Sequence, residues 1–374
     1  MANFDRLVQQ AIPKFVKGAT DLAARSYPLF GMLKSKGRVK GGFAGTEIQW
    51  RVTYKRGKAF FQGVEAAAPE AVRVTRQLTA KLDVTRMTVA EAISKYEELA
   101  NSGQKEKLID VVEDVTKGAM RDINDRLAAA LHGDSQSSDD PNTIVGLGDI
   151  SRNNGTLNIA SGAQRSANAA DLFGSPTGTY AGLNCVLGTY GAGEWLAQTT
   201  RETVWPFGQG EPQYEFWSQP ILNYNSTALG SPTGWRNIGD EAIRMLRDAV
   251  TQVTPSEGGE ADLLLLPVMM YSDLKSKLAT KERILIEAAP TLRSLGFKDS
   301  VMIDGCEITK ELNMPRGVGR LLNVSNMTLH HMTSDLFTAD KEKRDLIHKL
   351  LVWGFVQVQF NSPRYFGTLA ALTS

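Results

Sequence analysis

The sequence predicts an α+β fold, on three observations. Residues 46–88 hold two alternating apolar runs that read as a long strand pair. Residues 102–132 keep one unbroken helical stripe. From Gly239 onward strand and helix patterns alternate, and "FVQVQFNSPRYFGTLAALT" at 355–373 is again of paired-strand type. A single core stops growing at roughly 250–300 residues, so 374 residues predict more than one domain.

Residues 1–45 read as an N-terminal arm. Phe4, Leu7, Val8, Ile12 and Phe15 have helical spacing, interrupted by Pro13 and Gly18. Tyr27-Pro28, Gly31, Gly37 and "GGFAG" then suit an extended, bending segment. The net charge is only +1, unlike a dedicated nucleic-acid binder. Residues 1–60 nevertheless carry twelve Lys or Arg against Asp5, Asp21 and Glu47. Two readings stand: a solvated or neighbour-paired surface, or an arm facing polyanion through non-specific phosphate contacts. Lys34, Lys36, Arg38 and Lys40 are its candidates, facing nucleic acid or a neighbour.

In the strand pair, "TEIQWRVTY" places Ile48, Trp50, Val52 and Tyr54 on one face. The return run places Val72, Val74, Leu78, Ala80, Leu82 and Val84 on one face. At strand rise the arms reach roughly 33 and 43 Å. An isolated hairpin is marginal in water, and the flanks offer no obvious third strand. A neighbouring subunit is therefore the expected support for its apolar face. Trp50, Tyr54, Phe60 and Phe61 are the candidate interface aromatics, with Lys55, Arg56 and Lys58 near the tip.

In 102–132, Leu108, Val111, Val112, Val115, Ala119, Ile123, Leu127 and Leu131 form the stripe. Asn101 or Ser102 caps the start and Gly133 ends it; the helix spans about 45 Å. The segment before it, "AISKYEELANS", reads as a short helix. "TIVGLGDIS" reads as an apolar strand into a glycine turn. Residues 151–238 are loop-rich and hold four of the six tryptophans, as buried anchors. "GSPTG" occurs at 174–178 and 230–234, which is turn chemistry without flanking similarity. "DEAIRMLRDAVTQV" reads as a helix, "ADLLLLP" as a buried strand and "YSDLKSKLA" as a helix. "VMIDGCEITKEL" reads as a hairpin around Asp304-Gly305, and "GRLLNVSNMTLHHM" as two strands with a turn near Ser325-Asn326. "DKEKRDLIHKLLVW" reads as a turn or short helix.

Catalytic motifs are missing. There is no Walker loop, GxSxG elbow, HExxH or CxxC. "GLGDIS" has Ser151 where a dinucleotide fingerprint needs its third glycine. His330 and His331 are adjacent on a strand and point to opposite faces, which defeats joint metal coordination. His132 falls at a helix C-terminus, where a positive charge suits the dipole; His348 lies in a charged segment. Asp139-Asp140 and Glu97-Glu98 fall in polar surroundings. No catalytic residue, cofactor or metal is expected. Cys185 and Cys306 read as free thiols. No apolar run reaches the length of a membrane span, and no secretory signal opens the chain.

The order of parts resembles the major capsid proteins of tailed bacteriophages, the Hong Kong-97-type fold. The resemblance rests on the basic arm, the hairpin, the helix ending "LAAALHGD", "NTIVGLGDIS", "TYAGLN" with Trp195, the helix–"ADLLLLP"–helix unit, "VMIDGCEITKELNMPRGVGRLLN" and the closing "NSPRYFGTL". It implies an arm at 1–45, an extended hairpin loop at 46–88, a discontinuous peripheral domain at 89–143 and 325–374 with a long spine helix, and an axial domain at 144–324. Strands 355–360 and 365–372 would pair beside that helix, with Pro363 and Arg364 as the closing turn. Pro363 drives Ser362 out of helical space.

The resemblance further implies self-assembly into pentamers and hexamers of a closed icosahedral shell around double-stranded DNA, built in the bacterial host cytoplasm. The partners would be other copies, a portal protein at one vertex, packaged DNA bound non-specifically and no membrane; a decoration protein is left open. With the hairpin beginning by residue 46, no room remains for an N-terminal scaffolding segment, so a separate scaffolding protein is expected. Relatives that cross-link through a hairpin lysine give no reason to expect that reaction at Lys55 or Lys58. The alternatives are an encapsulin-like shell housing cargo enzymes, a tail or connector subunit, and an enzyme with dispersed catalytic residues in 144–330.

Overall fold

A computed structural model describes residues 27–54, 64, 75–94, 96, 105–135, 142–151, 173–174, 178–185, 217–223, 246–247, 249–251, 253, 260–279, 290–297, 299–315, 317–344 and 347–370. The expectations for 1–26, the hairpin tip (Lys55, Arg56, Lys58, Phe60 and Phe61 included), the acidic pairs, Trp195 and the second "GSPTG" lie outside these residues.

In chain order the elements are α1 (Pro28–Ser35), β1 (Val39–Lys40), β2 (Glu47–Thr53), β3 (Gln77–Asp83), β4 (Thr85–Ser94), α2 (Lys105–His132), α3 (Leu147–Ile150), β5 (Phe173–Gly174), β6 (Thr179–Tyr180), β7 (Leu183–Asn184) and β8 (Ile221–Asn223). Then come β9 (Leu263–Leu266), α4 (Val268–Ala279), α5 (Pro290–Ser294), β10 (Val301–Ile303), β11 (Cys306–Lys310), β12 (Val318–Leu322), β13 (Met327–His331), β14 (Thr338–Arg344), β15 (Ile347–Phe360) and β16 (Gly367–Ala370).

Two larger sheets organise these strands. One has the order β1-β13-β15-β14, with β4 also paired to β15. The other runs β10-β11-β9-β12-β16-β8-β5. In β9 the run Leu263–Leu266 is buried on both faces. Leu264 and Leu266 join the core with α4, Leu246, Ala249, Val250 and Val253, while Leu263 and Leu265 join the larger core on the other side. A strand covered on both faces has no polar positions to alternate with, so it reads as an unbroken apolar run. The β10–β11 turn has Asp304 at φ 48 and Gly305 at φ 81, the left-handed pair of a two-residue hairpin, as its Asp-Gly sequence predicts.

The long helix forms as its stripe predicts. Ala119, Ile123, Leu127 and Leu131 are buried, and Met120 and Ala128 widen the stripe. The helix packs on β4 and β15. Its 28 residues span about 42 Å.

Six expectations are corrected. Residues 28–35 are not an extended part of an arm: α1 buries Leu29, Phe30, Met32 and Leu33, each at most 2% exposed. Pro28 fits the first turn of a helix, and Gly31 is tolerated because tertiary burial outweighs its low propensity. Residues 92–94 of "AISKYEELANS" are strand, because β4 pairs along β15 from Ser94↔Ile347 to Thr85↔Val356. "TIVGLGDIS" forms the short helix α3, not a strand. "DKEKRDLIHKLLVW" forms the β14–β15 hairpin, since the long β15 supplies a ladder that overrides weak strand propensity. Strands 355–360 and 365–372 do not pair with each other. Ser362 is extended and Pro363–Tyr365 makes one 3₁₀ turn, and this carries the chain into the other sheet, where β16 pairs with β12 and β8. His132 is no charged helix cap. It is 2% exposed, and burial, then the Arg320 charge, pushes its pKa down to about 3.

Candidate assembly surface at the hairpin root

The base of the expected hairpin is present as β2 and β3, antiparallel from Glu47↔Asp83 to Thr53↔Gln77. The two form a sheet of their own. Ile48, Trp50 and Val52 lie across from Leu82, Ala80 and Leu78, which puts the apolar residues on one face as the alternation requires. That face does not wait for a neighbour along this base. Ile48, Ala80 and Leu82 are at most 6% exposed and belong to the chain's own main core. The partners of this face include Tyr180, Trp217 and Asn361, too distant in sequence for the flanks to reveal them.

Aromatic rings build the seat. Tyr180 stacks on Trp217 at 5.7 Å and 24°, and Trp50 lies 6.2 Å from Tyr180 and 6.4 Å from Trp217. Phe360 sits 5.7 Å from Tyr180 and meets Phe366 edge-on at 5.2 Å. Each such pair adds about 0.5–1.5 kcal/mol beyond area burial. Their polar ends are satisfied. The Trp50 indole N–H donates to the Asn361 carbonyl at 3.1 Å, and that of Trp217 to the Tyr180 carbonyl at 3.1 Å. The Phe360 N–H donates to the Tyr180 hydroxyl at 2.8 Å, and this hydroxyl donates to the Phe360 carbonyl at 3.3 Å. At the exit of β3, the buried Gln357 donates to the Asp83 carbonyl at 2.6 Å and accepts from Val145 N–H at 3.0 Å. Lys81 N–H donates to the Ala181 carbonyl.

The other predicted site residues are spread over the molecule. Trp50 is half-buried in this seat; Tyr54 is half-buried just past the end of β2, where its N–H donates to the Arg76 carbonyl at 3.0 Å. Lys34 and Lys40 are exposed on α1 and β1, and Arg38 is half-buried between them. Lys36 is paired with Asp262, which also accepts from Val324 N–H at 3.0 Å. Pro363 is buried and Arg364 half-buried in the turn between the sheets. Sequence reading missed Tyr180, Gln357 and Asn361. Of the tryptophans expected as anchors, Trp217 takes that role.

The carboxylates Asp149 and Glu311, whose pKa values burial raises, are held by structural bonds. Asp149 is pushed up to about 6 by burial, while its carboxylate accepts from Ser135 N–H, Ser135 hydroxyl and Gly146 N–H at 2.9, 2.6 and 2.8 Å. Those bonds, with Gly148 N–H donating to Gly133 at 2.8 Å, dock α3 on the end of α2. A Cβ on Gly146 would lie 2.4 Å from the Ala130 carbonyl, so the glycines of "GLGDIS" serve close helix packing. Glu307 accepts from Thr291 and Leu292 N–H groups at 2.8 Å each, capping α5. Glu311 accepts from Leu29 N–H at 3.5 Å, at the start of α1. Burial pushes Cys185 up to about 12 and Cys306 well above its usual range, so neither is a thiolate nucleophile at neutral pH. The His330 ring meets Gln359, and the His331 ring meets the Thr333 carbonyl, on opposite faces. Among the described residues no group of three or more His, Cys, Asp or Glu is placed to hold a metal, and no helix is long and apolar enough to cross a membrane.

No family model matches the sequence, and no curated protein does. Solved structures match over nearly the whole chain. A chain of the Cyanophage A-1(L) capsid asymmetric unit is 14% identical with a TM-score of 0.57, over 93% of this chain and 93% of that one. The capsid of an empty GTA particle gives 11%, 0.48, 90% and 88%, and that of Myoviridae Phage XM1 gives 12%, 0.47, 91% and 92%. The fold assignment rests on the first. The chain has the Hong Kong-97-type fold found in tailed-phage capsid subunits.

Proposed function

We propose that the chain is the major capsid protein of a tailed bacteriophage, a structural subunit and not an enzyme. Copies assemble through pentamers and hexamers into a closed icosahedral shell around double-stranded DNA. The observation that carries this reading is the match to a phage capsid chain over 93% of both molecules. Closed shells need repeated, self-complementary contacts, and many weak contacts per subunit suffice. In this reading 46–88 is the extended loop that overlaps a neighbour. Its root is fixed by Trp50, and its contact residues are Tyr54, Lys55, Arg56, Lys58, Phe60 and Phe61. Lys34, Arg38 and Lys40 face DNA or a neighbour, and Pro363 with Arg364 forms the crossing between domains. α2 is the spine of a peripheral domain at 89–143 and 325–362, and 144–324 is the axial domain, to whose sheet β16 returns beyond the crossing. A portal at one vertex, a separate scaffolding protein and assembly in the host cytoplasm belong to the same reading. The excess of Lys and Arg in residues 1–60 favours a DNA-filled shell over one filled with cargo enzymes.

Negative-stain electron microscopy of the purified protein, alone and with a scaffolding partner, tests this. Closed shells, or five- and six-fold rings, are the expected result. A monodisperse dimer or tetramer under both conditions refutes it.

A further inference from the structure

Arg320 is 1% exposed, in the middle of β12. It lies directly across from Thr368 on β16 and from Leu265 on β9. Its face of the sheet looks toward α3, where one guanidinium nitrogen, Nη1, donates to the Ser151 hydroxyl at 2.7 Å and to the Thr368 hydroxyl at 2.6 Å. Both acceptors are neutral. Among the described residues no carboxylate lies within ion-pair distance of the guanidinium. Asp134 acts on it only at longer range, and burial lowers its pKa only to about 10. Arg320 therefore stays charged at neutral pH. An uncompensated buried charge costs several kcal/mol, which a counter-charge normally offsets.

Orphaned polar atoms belong to this arginine and to two residues linked to it, Gln219 through the shared Thr368 hydroxyl and His132 through its charge. Arg320 Nε is buried with no acceptor. Gln219, 0% exposed, accepts from the Thr368 hydroxyl through Oε1 at 3.2 Å, while its Nε2 is buried with no acceptor. His132 Nδ1 is also buried without a partner, and His132 feels the Arg320 charge. Such atoms are rare in folded proteins and each calls for an explanation. The Arg320 and Gln219 atoms are obligate donors, and neutral histidine can carry its proton on Nδ1. The Ser151 and Thr368 protons are already directed to the Leu147 or Gly148 carbonyl and to Gln219. The cluster thus offers donors around a fixed positive charge.

We propose that Arg320, with Gln219 and His132, binds a small monovalent inorganic anion of chloride size between β12, β16 and the end of α2. The anion is the counter-charge of the guanidinium. It locks β16 and the segment before β8 to the α2–α3 corner.

The test uses the purified full chain in sodium chloride, bromide or gluconate at equal ionic strength. Chloride and bromide are expected to raise Tm saturably above gluconate, which is too large to enter. Anomalous scattering from crystals in bromide should place one ion at Arg320. Arg320→Met should abolish the difference between salts. Gln219→Leu keeps the charge and decides the matter if the first variant fails to fold. It should weaken the chloride midpoint about tenfold, the equivalent of one hydrogen bond to an ion. Equal Tm in all three salts, or a water alone in the cluster, overturns the proposal.

Discussion

Glu311 lies just past the end of β11, 2% exposed, with its carboxylate accepting from the Leu29 N–H in the first turn of α1. Burial raises its pKa from 4.5 to about 7, and the bond from Leu29 N–H only partly opposes this. The fold therefore prefers the neutral acid. The contribution is fully present below pH 4.5, declines as pH rises, and is lost above about pH 7. At about 1.36 kcal/mol per pH unit, that displacement corresponds to on the order of 3 kcal/mol.

Glu311→Gln tests this, because the amide keeps the shape and still accepts from Leu29 N–H but cannot ionise. Near pH 4 the two proteins should be about equally stable. At pH 8 the glutamine variant should be more stable, by on the order of 3 kcal/mol. Guanidinium unfolding at pH 4, 6 and 8 measures this, and comparing the two proteins at each pH removes the contributions of Asp149 and His132. A gap that does not change with pH, or a glutamine variant weaker at pH 8, would refute the account of Glu311 as a buried neutral acid that anchors α1.

The remaining predictions concern the hairpin root and the α2–α3 corner. Deleting the hairpin beyond Tyr54 and before Arg76 should stop shell formation while unfolding stays cooperative; normal shells would sink the assigned role of the hairpin. Tyr180→Phe removes both bonds to Phe360 and should cost about 1–3 kcal/mol in chemical denaturation; an unchanged midpoint would contradict that role. Gly146→Ala drives a Cβ into the Ala130 carbonyl and should cost about 1–3 kcal/mol, where an open site would register a gain. His132 has a depressed folded pKa, so its contribution is present above pH 6.5 and lost as pH falls toward 3. His132→Gln should flatten the acid limb of the stability curve.

Elements whose pattern is complete within one segment were legible: the apolar faces of β2 and β3, the stripe of α2, the run in β9 and the Asp-Gly turn before β11. Elements decided by distant partners were not. Tyr27-Pro28 and Gly31 look like breakers, yet α1 is driven into the core by Leu29, Phe30, Met32 and Leu33. "KEKR" carries no strand signal by itself, and pairs because β15 extends far enough to hold β14 and β4 on its two sides. The sheet that receives β16 depends on β8 and β12, from widely separated parts of the chain. The hairpin root failed for a related reason: its apolar face was visible, but Tyr180, Trp217 and Phe360, which cover it, lie in unrelated segments.

That root also explains how a two-stranded sheet can stand without a third strand. A lone hairpin is marginal because one face buries nothing. Here the face rests on rings delivered by both larger sheets. Phe360, Asn361 and Gln357 come from β15 and its exit, while Trp217 leads into β8. Truncating Trp217 to alanine would remove a residue that is 1% exposed, at a cost of about 3–5 kcal/mol, and would take away the ring that packs on both Trp50 and Tyr180. In the proposed shell this loss separates two roles. A root that only stabilises the subunit predicts a lower Tm with shells of normal geometry. A root that also aims the hairpin predicts aberrant or open shells at temperatures where the variant subunit is still fully folded. The second outcome follows from this geometry, because among the described residues no third strand joins β2 and β3 to hold their direction.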